Sequence, residues 1–91
     1  MSLVKTFTFH SDPSHGWLQV TNRDVIAAGL HPRDFSVYSY AAGRGDDATY
    51  YLEEDCDAPK FVAAWKNKVD AIRFDEKHSD NPSFVRGLRS L

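Results

Sequence analysis

The chain has 91 residues, enough for one modest core and too few for two. It is 42% hydrophobic, 26% charged and carries two tryptophans, four tyrosines and six phenylalanines, which excludes a chain disordered throughout. A formal net charge of −2 speaks against a dedicated nucleic-acid binder, which carries a basic excess.

Val4 to Phe9 alternates Phe7 and Phe9 with Thr6 and Thr8 and reads as a first strand. The turn Ser11 to Gly16 contains Pro13 and leads to a second strand at Trp17, Leu18 and Val20, so the two form a hairpin. Asp12 before Pro13 suits an Asx turn, with Gly16 at a positive φ. Thr21 and Asp24 have the spacing of a capping box before a short helix at Val25 to Ala28. Gly29 ends that helix and Pro32 prevents its continuation. Phe35 to Tyr40 reads as a third strand and Thr49 to Glu54 as a fourth, joined by a turn over Ala41 to Asp47 with Gly43 and Gly45.

Asp57 is the expected cap of a second helix, with Pro59 tolerated in its first turn. Ala58, Phe61, Val62, Trp65 and Val69 form its apolar stripe. Ile72 and Phe74 alternate with Arg73 and Asp75 as a short fifth strand. Asp80-Asn81-Pro82 then opens a final helical turn carrying Phe84, Val85 and Leu88. The expected fold is a single small α+β domain over residues 1–91 in the order β-β-α-β-β-α-β. Its sheet is mostly antiparallel, both helices pack on one face, and a short helical tail follows.

A single cysteine, Cys56, rules out an internal disulfide. With no secretory leader pattern, a reducing cytoplasm is the expected compartment. No apolar run approaches the ~20 residues of a membrane span.

Side chains able to do chemistry concentrate in two segments. In the first, His10, Asp12 and His15 are good ligands for a divalent metal if the turn gathers them. The spacing H-x-D-x-x-H is weaker than the established metal motifs, and a purely structural turn accounts for it better. In the second, Glu53, Glu54, Asp55 and Asp57 surround Cys56 at a strand-to-helix junction, where the helix dipole favours carboxylates. Strand alternation sends Glu53 and Glu54 to opposite faces. The flanking acids raise the Cys56 pKa while the helix end lowers it, so a structural thiol is expected. Tyr38, Tyr40 and Tyr51, with Tyr50, lie on neighbouring predicted strands, where exposed rings make protein-binding surfaces and can stack on bases.

The stretches His10–Leu18 and Tyr51–Ala58, with the tail Ser83-Phe84-Val85-Arg86, resemble a group of short open reading frames on bacterial phages, prophages and plasmids. That resemblance implies a mobile-element origin and a compact domain, and it carries over no catalytic residue.

The expected function is therefore a non-enzymatic interaction or accessory module acting on a protein partner, with a homodimer as a further form. Its surface comprises Tyr38, Tyr40, Tyr51, Glu53, Glu54, Asp55 and Asp57. The alternative is a small metal-binding protein or metal-dependent hydrolase using His10, Asp12 and His15. Single-stranded nucleic-acid binding by the tyrosine-rich sheet ranks third, because phosphate neutralisation supplies most such affinity.

Overall fold

A computed structural model describes residues 5–91; Val4, the first residue of the expected first strand, lies outside them. Strands β1 (Lys5–Ser11) and β2 (Gly16–Thr21) form the expected antiparallel hairpin, with Phe9 opposite Leu18. Helix α1 (Asn22–Ala27) begins with a complete capping box. The Asp24 amide donates to Thr21 Oγ1 (3.1 Å), and the Thr21 amide donates to Asp24 Oδ2 (2.9 Å). Gly29 takes φ +79° just beyond the helix, the left-handed position a side chain resists.

β3 (Tyr40–Ala42), β4 (Thr49–Glu53), helix α2 (Asp57–Lys68), β5 (Ile72–His78) and β6 (Arg89–Ser90) follow. The six strands make one sheet in the order β5-β1-β2-β4-β3-β6. All pairs are antiparallel except β1 and β5, which run parallel with Phe7 opposite Phe74.

Alternation divides the side chains between two faces. On one face Phe7, Leu18, Val20 and Leu52 meet Val25 of α1 and Phe61 and Trp65 of α2. Phe7 lies edge-on to Phe61 (5.4 Å) and to Trp65 (5.0 Å). Full burial of one such ring contributes about 1.5–3 kcal/mol, so this layer carries most of the stability. On the other face Trp17 and Tyr51 pack with Val85, and Tyr40, Ala42 and Leu88 lie against them. A single 3-10 turn, Phe84–Gly87, covers that second layer.

Four expectations need correction. The third strand is not Phe35–Tyr40: it begins at Tyr40, and residues 35–39 are bent instead. The cause is Asp57, whose carboxylate collects the Ser36 amide (2.8 Å), the Ser36 hydroxyl (2.8 Å) and the Ser39 hydroxyl. Asp57 is accordingly the first residue of α2 rather than its cap; Cys56 occupies the cap position without a side-chain bond. Gly16 is absent from the positive-φ glycines; it is small because a Cβ there would lie 2.6 Å from Phe9 Cε2. The tail is not only helical, since Arg89–Ser90 pairs with β3 as a sixth strand. Among the described residues no helix is long and apolar enough to cross a membrane.

Candidate functional site: an aromatic and acidic cleft

The second face of the sheet carries a cleft of about 330 Å³. Its floor is Trp17 from β2 and Tyr40 from β3, packed edge-on at 6.2 Å. One wall is the bent 36–39 segment, which presents Val37 and Tyr38 with 67% and 65% of their surface exposed. This wall exists because Asp57 holds Ser36 and Ser39 against the start of α2.

The opposite wall is Arg86 from the C-terminal 3-10 turn. Its guanidinium lies 5.2 Å from the Trp17 ring centre and forks onto Asp12, with Nε to Oδ2 at 2.6 Å and Nη2 to Oδ1 at 3.0 Å. Asp12 also accepts from the amides of Ser14 and His15, completing the Asx turn, and from the amide of Ser83, each at 3.0 Å. These donors stabilise the ionised form, the Arg86 fork first, and hold the Asp12 carboxyl far below the usual carboxylate range.

The rim is the β4–α2 junction. Glu53, buried at the end of β4, accepts from the amides of Asp55 (3.0 Å) and Cys56 (2.9 Å) and so shapes the turn. Asp55 and Cys56 face solvent at the cleft edge. Partial desolvation pushes the Cys56 thiol up first, followed by its hydrogen bond to Glu53 and the charges of Glu53, Asp57 and Asp55. A thiol so placed is a weak nucleophile. Alkylation of Cys56 by iodoacetamide at pH 8 is expected to be several-fold slower than that of a free cysteine, and Glu53→Gln is expected to speed it up. Mass spectrometry of the adduct checks both.

The seven residues of the expected surface do not share one exposed patch. Tyr38, Tyr40 and Asp55 reach the cleft, while Glu53 lines it from a buried position. Tyr51 is buried under the tail, with Phe84 edge-on at 5.5 Å, and Asp57 is 2% exposed. Glu54 lines a different groove, on the helix side. Glu53 and Glu54 thus go to different faces, although the fourth strand stops at Glu53, one residue short of the expected Thr49–Glu54, and Glu54 already lies in the turn.

The three expected metal ligands are also dispersed in their bonding. His10 Nε2 donates to Gln19 Oε1 (2.7 Å) and its ring packs on Phe84 and Tyr51. Asp12 is occupied by Arg86 and three amides, and His15 lies 6.1 Å from the Trp17 ring. Among the described residues no group of three or more His, Cys, Asp or Glu side chains is placed to hold a metal ion. The sequence reading assigns no binding role to Trp17, Val37 or Arg86. For Arg86 no local signal existed, because its partner is 74 positions away.

No family model, curated protein or solved structure matches this chain.

Proposed function

We propose that the chain is a non-enzymatic protein-interaction module whose cleft receives a basic side chain of a partner protein. The composition of the cleft carries this reading. Tyr38 and Tyr40 offer aromatic surface over the buried Trp17, and Asp55 stands exposed at the rim with the buried Glu53 behind it. Among the described residues the one Lys or Arg lining the cleft, Arg86, is already matched by Asp12. Negative charge therefore remains in surplus beside aromatic rings, which suits a lysine ammonium or an arginine guanidinium. The net charge of −2 steers a basic partner toward the molecule as well. A raised thiol pKa favours binding over nucleophilic chemistry at Cys56. An accessory role of this kind fits the mobile-element resemblance.

Titration with short glycine-flanked peptides holding one arginine or one lysine tests the proposal by NMR. Shifts are expected at Trp17, Tyr38, Tyr40 and Asp55. Tyr38→Ala and Asp55→Asn are each expected to weaken binding about two- to fivefold, the scale of a partly solvated cation–π or ionic contact. Equal shifts with a glutamate peptide, or none with the basic ones, would refute it.

A further inference from the structure

The two edges of the sheet differ. β6 is two residues long, whereas β5 presents seven, all of them more than marginally exposed and paired only to β1. Alternate residues of β5 therefore point backbone N–H and C=O groups away from the sheet, a template for another strand. Phe74, the third of these seven residues, has 52% of its surface exposed. It faces the helix side, where it borders an apolar groove of about 430 Å³ with Phe9, Pro59 and Val62.

We propose that β5 pairs antiparallel with β5 of a second copy about a two-fold axis at Phe74, joining two sheets into one of twelve strands. The charge pattern selects both the partner and the register. A two-fold axis normal to the sheet places one residue opposite its own copy, and its neighbours opposite each other. Centring on Arg73, Asp75, Glu76 or Lys77 sets like charges against each other on the axis, which destabilises a pair. Centring on Phe74 sets ring against ring and Arg73 against Asp75, twice by symmetry. Both side chains are exposed and have no partner among the described residues, so the pairing displaces no ion pair within the chain. The same register puts the two Phe74 rings over adjoining apolar grooves and keeps both helical layers on one side. This interface is isologous and closes at two copies. It leaves the cleft on the other face open and is independent of what that cleft binds.

Sedimentation velocity of the intact chain over a range of concentrations tests the proposal. The wild type is expected to reach twice the monomer mass at high concentration. Asp75→Arg sets Arg73 against Arg in both symmetric positions and is expected to weaken the dimer about tenfold or more, with unchanged far-UV circular dichroism. Adding Arg73→Asp to that variant restores opposite charges and is expected to restore the dimer. A wild type that stays monomeric throughout, a dimer indifferent to Asp75→Arg, or a double variant that remains weakened would each overturn the proposal.

Discussion

Asp12→Ala is expected to lower the melting temperature by roughly 5 °C or more, the scale for removing a buried carboxylate that several donors share in a small domain. The change strands the Arg86 guanidinium and the amides of Ser14, His15 and Ser83 at once. It also unfastens the tail from the β1–β2 turn, so Trp17 and Tyr51 gain access to water and tryptophan emission should move to the red. Arg86→Ala should cost less, because the three amides still satisfy the carboxylate. A larger loss for Arg86→Ala would contradict this order.

The same carboxylate sets an acid limit. Its folded pKa is depressed, so its contribution is complete above the unfolded value of about 3.9 and declines as pH falls below it. Wild type should therefore lose stability below about pH 4 more steeply than Asp12→Asn, whose side chain does not titrate. Thermal melts at a series of acidic pH values measure the two slopes.

The second large effect is expected at Asp57. Alanine there removes the acceptor of the Ser36 amide and of the Ser36 and Ser39 hydroxyls inside a nearly closed site. Stranding such donors costs about 2–4 kcal/mol. Ser39 also donates its hydroxyl to Asp57 while accepting from the Glu53 amide (3.0 Å), so the damage reaches β4. The 36–39 wall should then lose order and carry Tyr38 away from the cleft. Faster amide exchange at Ser36, together with loss of the basic-peptide response, would report this. A stable Asp57→Ala variant with an unchanged exchange rate would show that the bend is held by other means.

Local periodicity was readable wherever a contact spans only a few residues. Phe7 and Phe9, the Thr21–Asp24 box, Gly29 and the Phe61–Trp65 stripe all announce themselves at spacings of two, three or four. Long-range polar contacts leave no such trace. Nothing near Phe35 shows that Asp57 will bend the chain there, and the β-rich composition of that segment points to a strand. Asp12 illustrates both cases: its bonds to Ser14 and His15 follow from the turn sequence, while its bonds to Ser83 and Arg86 do not. The cleft went unseen because its walls come from four separate segments. The parallel placement of β5 beside β1 was equally hidden, since alternation gives a strand its faces without naming its neighbour.

β1 is finished by residues far along the chain. It lies parallel to β5, and Ser11 hydrogen-bonds His78 at a separation of 67 positions; Asp12 waits 74 positions for Arg86. Closing loops of this length slows folding. On the ribosome the early hairpin emerges long before its partners, with Phe7 uncovered until α2 follows and Trp17 uncovered until the 83–88 segment follows. Premature termination before residue 83 would leave a species that keeps α1 and α2 but has neither the clasp at Asp12 nor the cover over Trp17, the kind of sticky fragment that chaperones and proteases intercept.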